Sequence, residues 1–100
     1  MKVAIGSDHA GFEQKPALVE WLTSLGYEVI DLGPTTDARC DYPDFADKVA
    51  RYVAEGKADR GILICGTGIG MAITADKVKG VRASCIQTPH FAHLFREHNN

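Results

Sequence analysis

Two short stretches hold the residues best suited to chemistry. Cys65 stands immediately before Gly66-Thr67-Gly68-Ile69-Gly70, and Ser7-Asp8-His9-Ala10-Gly11 sets a carboxylate beside an imidazole. Glycines alternating at 66, 68 and 70 expose a run of backbone N–H groups. Where such a run opens a helix it binds an anion, whether phosphate or a negative oxygen developing during reaction. A tight turn using glycine for steric reasons alone is the plainer reading, but three glycines so close together favour the anion nest. A thiol at a helix start has its anionic form favoured by the positive end of the helix dipole, and a thiolate there serves as nucleophile or general base. Cysteine is equally a small apolar residue that can close a buried strand. Beside the nest, the two readings of Cys65 stand level.

Asp8 can orient sugar hydroxyls or relay a proton, and His9 can bind phosphate or polarise a carbonyl. Asp8 is also a candidate cap for the helix that follows, a role compatible with the first. Asp41-Tyr42-Pro43-Asp44 reads as the start of a helix with Asp41 or Asp44 as its cap. His98-Asn99 reads as a helix C-terminus. Cys40 and Cys85 lack the setting of Cys65 and are expected to be structural. The cysteines are odd in number and contain no CxxC pair, which argues against a disulfide scaffold and a structural zinc. His9, His90, His93 and His98 show no HExxH spacing, so no metal is expected; His90 and His93 read as solvated or hydrogen-bonded helix residues. The glycine segment is also no dinucleotide fingerprint. It runs GxGxG, follows the third strand signal, has no acidic residue about twenty positions on, and lacks the Gly-Lys-Ser/Thr ending of a P-loop.

The elements that must position these residues alternate along the chain. An apolar run over 2–6 predicts a strand that delivers Asp8. Phe12, Leu18, Val19, Leu22 and Leu25 then recur at helical spacing, with Pro16 near the start and Gly26 as the stop. Residues 28–32 predict a second strand, closed by Gly33-Pro34 and a polar loop to Asp41. Phe45, Ala46, Val49, Ala50 and Val53 make one stripe of a second helix ending at Gly56. Gly61-Ile62-Leu63-Ile64-Cys65 is a continuous apolar run, expected to be a strand buried on both faces. A helix through Met71, Ala72, Ala75 and Val78 stops at Gly80. Residues 81–86 predict a fourth strand, and 89–98 a fourth helix with Phe91, Ala92, Leu94 and Phe95 on its apolar side. Strands separated by crossover helices imply a parallel sheet covered on both faces, an α/β class of three-layer α/β/α, Rossmann-like architecture. Ligands bind outside the carboxyl ends of such strands, where both chemical stretches fall.

One hundred residues suit a single domain, expected to span 1–100 with no repeat or linker. Eleven Lys+Arg against thirteen Asp+Glu leave a net charge of −2, which disfavours a nucleic-acid partner. No apolar run reaches the roughly 20 residues of a membrane span, and no signal peptide opens the chain, so the expectation is a cytoplasmic protein without a membrane partner.

Ser7-Asp8-His9-Ala10-Gly11, Asp41-Tyr42-Pro43-Asp44, Cys65 to Met71, Lys77-Val78-Lys79-Gly80-Val81-Arg82-Ala83 and His98-Asn99-Asn100 occur here in order. Together they closely resemble the ribose-5-phosphate isomerase B family, which includes the galactose-6-phosphate isomerase subunits. The resemblance covers the whole chain. It implies an aldose–ketose isomerase of the pentose phosphate pathway, interconverting ribose 5-phosphate and ribulose 5-phosphate with no metal or cofactor. It further implies that His98 assists ring opening, and that Cys65 moves the proton between C2 and C1 through a cis-enediolate. The Thr67 hydroxyl and the backbone of Gly66, Gly68, Ile69 and Gly70 would stabilise the enediolate. Asp8, His9 and Asn99 would hold the substrate. Other members carry the base as a glutamate further along the loop, where this chain reads Met71-Ala72-Ile73.

The resemblance implies a homodimer or tetramer with the site at the subunit interface, His98 and Asn99 serving the neighbouring copy. It also implies a further strand and a long helix with phosphate-binding arginines beyond Asn100, so that this sequence is truncated after the fourth βα unit. Three rivals follow. The substrate is a hexose 6-phosphate such as galactose or allose 6-phosphate; the chain is a non-catalytic sugar-phosphate-binding module; or Cys65 is a redox sensor, a reading weakened by the lack of a resolving cysteine nearby in sequence.

Overall fold

The strand β1 (Lys2–Ser7) is the centre of the molecule: every residue from Val3 to Ser7 is buried, as expected where neighbours pair on both edges and helices cover both faces. A computed structural model describes residues 1–36 and 41–99. Cys40 and Asn100, together with part of the predicted polar loop, lie outside the described residues. Strand β2 (Glu28–Asp31) pairs with one edge of β1, Val3 opposite Val29, and β3 (Arg60–Ile64) pairs with the other, Ile5 opposite Ile62 and Ser7 opposite Ile64. Both pairings are parallel and the order is β2-β1-β3.

The helices between them are α1 (Lys15–Ser24), α2 (Tyr42–Ala54), α3 (Ile69–Asp76) and α4 (Pro89–Asn99). Right-handed crossovers in opposite directions, β1 to β2 and then β2 to β3, put α1 on one face and α2 on the other. Helix α2 seats directly on the sheet because two strand residues lack side chains. A Cβ on Gly6 would lie 2.9 Å from Val49 Cγ2, and one on Gly61 would lie 2.8 Å from Val49 Cγ1. Val49 therefore fills the space above both strands, packed with Ala4 and Ala58. On its other flank α2 gives Ala50 to Ala75 and Val78, which ties α3 to the same layer.

Three expectations are corrected. Residues 81–86 form no strand, and the sheet has three strands among the described residues. The amide of Val81 bonds back to Val78 O at 3.1 Å and that of Ala83 to Asp76 Oδ1 at 2.6 Å. A strand needs a ladder as well as an apolar pattern, and here a cavity of ≈ 810 Å³ separates residues 60–65 from 80–86. For the same reason β3 is not buried on both faces: Gly61 is exposed and Ile62, Leu63 and Ile64 are half-buried. Helix α4 contains no buried residue, and Phe91, expected on its apolar face, is 53% exposed.

Helix α1 also starts later than the apolar spacing from Phe12 predicts. Residues 9–14 form turns, with the amides of Gln14 and Lys15 both directed to Gly11 O. Pro16 lies in the first turn, where its missing N–H leaves nothing unpaired.

Candidate active site

In the order β2-β1-β3 the chain reverses direction across the sheet between β1 and β3, and it is outside the carboxyl ends at such a point that open parallel sheets bind ligands. Asp8 follows one strand and Cys65 the other. The two ends are locked together: the Asp8 amide donates to Ile64 O at 3.0 Å, continuing the β1–β3 ladder one step past the strands. Gly11 makes this approach possible, since a Cβ there would fall 2.6 Å from Ile64 O and 2.9 Å from Ile64 C. Asp8 Oδ1 accepts from the Gly11 amide at 2.8 Å. The carboxylate thus caps the turn before α1 rather than α1 itself, whose N-cap is Gln14. Among the described residues its Oδ2 accepts no hydrogen bond, and His9 beside it is exposed.

At the end of β3 the sulfur of Cys65 accepts a hydrogen bond from the Gly68 amide at 2.8 Å. Gly68 is the N-cap of α3 and lies in the left-handed region at φ 83°, a conformation that favours glycine. Thr67 Oγ1 accepts from the Ile69 amide at 3.2 Å, taking one of the donors that a helix start leaves free. The amides of Gly66, Thr67 and Gly70 carry no hydrogen bond among the described residues.

The glycines of this loop divide by purpose. A Cβ on Gly70 would lie 2.6 Å from the Tyr42 ring, and one on Gly68 would lie 3.0 Å from Cys85 Sγ, so both have packing reasons. Gly66 meets nothing within 4 Å, which leaves its backbone open to a ligand.

The cavity beside β3 is lined by Cys65, Thr67, Gly68, Cys85, Asn99 and the helix residue Phe95, among others. It brings three loop residues together with Asn99. His98 lines instead a smaller adjoining cavity of ≈ 260 Å³ with Ser84, Cys85 and Asn99. Asp8, His9, Gly66, Ile69 and Gly70 lie outside the lining of both. Asp41 is the N-cap of α2 without a side-chain cap bond, and Asp44 lies in its first turn. Among the described residues no three His, Cys, Asp or Glu side chains gather to hold a metal ion, and no helix is long and apolar enough to cross a membrane.

Two residues that brace these strand ends and loops escaped the sequence reading. Lys15 is buried, its Nζ donating to Asp31 Oδ1 at 2.9 Å and Pro34 O at 2.6 Å. Asp31 Oδ1 also accepts from the Gly33 amide, and Gly33 O accepts from the Ser7 amide at 3.0 Å. This chain of bonds runs from α1 through the end of β2 to the residue before Asp8. Its signal was present: Lys15, Leu18, Val19 and Leu22 share one helical stripe. Cys85, expected to be merely structural, reaches the Cys65 loop and donates its thiol hydrogen to Thr67 O at 3.0 Å. No spacing in the sequence announces that meeting.

The sequence matches the profile of the family described as Ribose/Galactose Isomerase over residues 3–100. The chain belongs to that family. It is 48% identical over 99 residues to ribose-5-phosphate isomerase B of Escherichia coli, covering 99% of this chain and 66% of that relative. The ribose-5-phosphate isomerase B of Clostridium thermocellum superposes with a TM-score of 0.97 at 49% identity, over 99% of this chain and 67% of that one. The Mycoplasma genitalium enzyme, solved with bound ribulose 5-phosphate, superposes with a TM-score of 0.92 at 44% identity, over 99% of this chain and 66% of that one. The chain therefore spans about two thirds of the length of these family members. The likeness at this level fixes the shared fold of the described residues.

Proposed function

We propose that the chain carries the reaction centre of an aldose–ketose isomerase that interconverts D-ribose 5-phosphate and D-ribulose 5-phosphate. The observation that carries this reading is the Cys65 sulfur held 2.8 Å from the Gly68 amide, inside a loop whose Gly66, Thr67 and Gly70 amides carry no hydrogen bond among the described residues. The N–H groups that hold a sulfur anion are of the kind that hold an enediolate oxygen. Cys65 as thiolate takes the proton from C2 and, as thiol, returns it to C1. The electrons of the broken C–H bond form the enediolate double bond between these steps. The amides of Gly66, Gly68, Ile69 and Gly70 and the hydroxyl of Thr67 stabilise the oxygens. Asp8 and His9, at the end of the neighbouring strand, hold hydroxyls or the phosphate, and Asn99 adds a polar contact. His98 serves as the acid and base that opens the furanose ring.

His98 lies to one side of the Cys65 cavity, which fits a part played in the pocket of a neighbouring copy. Ile69 and Ile73, one turn apart on α3 next to the loop, are 54% and 55% exposed and offer that copy an apolar surface. The reading is thus of a homodimer or larger assembly with shared sites, working in the cytoplasm in pentose phosphate metabolism. The ribulose 5-phosphate bound to the Mycoplasma genitalium relative and the names of the relatives support the pentose.

The decisive experiment is conversion of ribose 5-phosphate in deuterated water by the protein and by Cys65→Ala. Turnover with solvent deuterium entering the product carbon, lost in the variant, supports the proposal; undiminished turnover in the variant overturns it. The family description also covers galactose, and a hexose 6-phosphate substrate would be revealed by a higher kcat/KM for that sugar in a panel.

A further inference from the structure

Cys65 and Cys85 meet the same peptide group from opposite edges. The N–H of the Thr67–Gly68 peptide donates to Cys65 Sγ at 2.8 Å, and the C=O of that same unit accepts from Cys85 Sγ at 3.0 Å. The bond is trans, as the only cis peptide among the described residues is Gly33-Pro34, so its N–H and C=O point in opposite directions. The result is one continuous line: S–H of Cys85, carbonyl of Thr67, amide of Gly68, sulfur of Cys65. A hydrogen bond to a peptide oxygen draws electron density from the nitrogen and strengthens the N–H as a donor. Both cysteines are half-buried residues and line one cavity.

We propose that Cys85 is a positioning residue for Cys65, acting through the Thr67–Gly68 peptide to strengthen the hydrogen bond from the Gly68 amide to the Cys65 sulfur. The proposal rests on the reading of Cys65 as the base. It gives Gly68 a second duty besides its left-handed turn: a Cβ there would stand 3.0 Å from Cys85 Sγ and push the donor off the carbonyl. It also gives residues 81–86 a purpose that their missing ladder leaves open. Through Cys85 this segment, which leads into α4 with His98 and Asn99, grips the loop on which the reaction would run.

The test compares Cys85→Ala, Cys85→Val and Cys85→Ser in the whole protein. Alanine removes donor and bulk, valine keeps bulk without a donor, and serine keeps a donor. The first readout is the rate at which iodoacetamide alkylates Cys65, measured by mass spectrometry on its own peptide so that Cys40 and Cys85 do not interfere. That rate is expected to fall about 1.3-fold to 4-fold in the alanine and valine variants, the loss of about 10–30% of one charge-assisted hydrogen bond, and to return to the parent value in the serine variant. The second readout is hydrogen exchange at the Gly68 amide, expected to speed up by a similar factor in the first two variants alone. Unchanged alkylation and exchange in Cys85→Ala overturn the proposal. Rescue by valine instead of serine also overturns it, because Cys85 is then only filling space. If Cys65 of the unaltered protein resists alkylation, the reading of Cys65 as base fails, and the exchange arm still decides the relay.

Discussion

The residues up to Val78 and those from 79 to 99 are built to different standards. The first region holds the whole buried core: Val3, Ala4 and Ile5 on the central strand, Val49 and Ala50 on α2, Met71 and Ala75 on α3. In the second no described residue is buried, residues 81–86 have no ladder, and the segment's side-chain bonds to other elements are Ala83 to Asp76 and Cys85 to Thr67. Each region nevertheless holds part of the candidate site. Asp8 and Cys65 are fixed by the β1–β3 ladder, whereas His98 and Asn99 ride on a helix that lies on the rest through half-buried contacts. The side of the candidate site proposed to transfer the proton is thus preorganised, whereas His98 and Asn99 are placed by loosely packed chain. Preorganised donors are the ones that contribute most to stabilising a developing charge.

The comparison can be broken most directly at Cys65. Cys65→Ala is expected to lower turnover by roughly 10²–10⁴-fold while leaving thermal unfolding near its original midpoint, as activity assay and calorimetry would record. A change in stability as large as the change in rate would mean that the sulfur is chiefly a core atom.

Next come paired core tests. Ile5→Ala, at a residue wholly shielded from solvent, should cost about 2–5 kcal/mol in denaturant unfolding, because a packed strand centre cannot collapse around the hole. Phe95→Ala, on the half-buried face of α4, should cost about 1 kcal/mol or less. Equal costs would erase the distinction between the regions.

Two glycines sharpen it within the site. Gly11→Ala should destabilise by about 1–3 kcal/mol and raise the KM for sugar phosphate, since its Cβ would press on the backbone of Ile64 and part the Asp8 turn from β3. Gly66→Ala meets open space, so its stability should stay within about 0.5 kcal/mol of the parent, measured in the same urea titration.

Much of this was legible before any coordinates. Apolar runs broken by Gly26, Gly33, Gly56 and Gly80, with helical stripes between them, foretold four strands and four helices in a parallel sheet, and three of those strands and all four helices form. The same rule erred at residues 81–86, because an apolar pattern states that a segment can pair without supplying the partner edge. The Cys65 loop was legible as a candidate because alternating glycines at a strand end are unusual. Lys15 was passed over because a lysine on an apolar stripe is normally a solvated one, yet Asp31 and Pro34 O wait for it below.

Local pattern alone settled the order of elements apart from the expected strand at 81–86, their parallel class and the placing of Asp8 and Cys65 at strand ends, because periodicity and glycine chemistry are local properties of a chain. That β1 lies between β2 and β3, so that those two ends stand side by side, came from the tertiary structure alone. It alone showed that Cys85 shares a peptide with Cys65 and that residues 81–86 stand off from the sheet. Those outcomes depend on which surfaces come within bonding distance after the chain has crossed over itself, and no spacing along the chain encodes a distance through space.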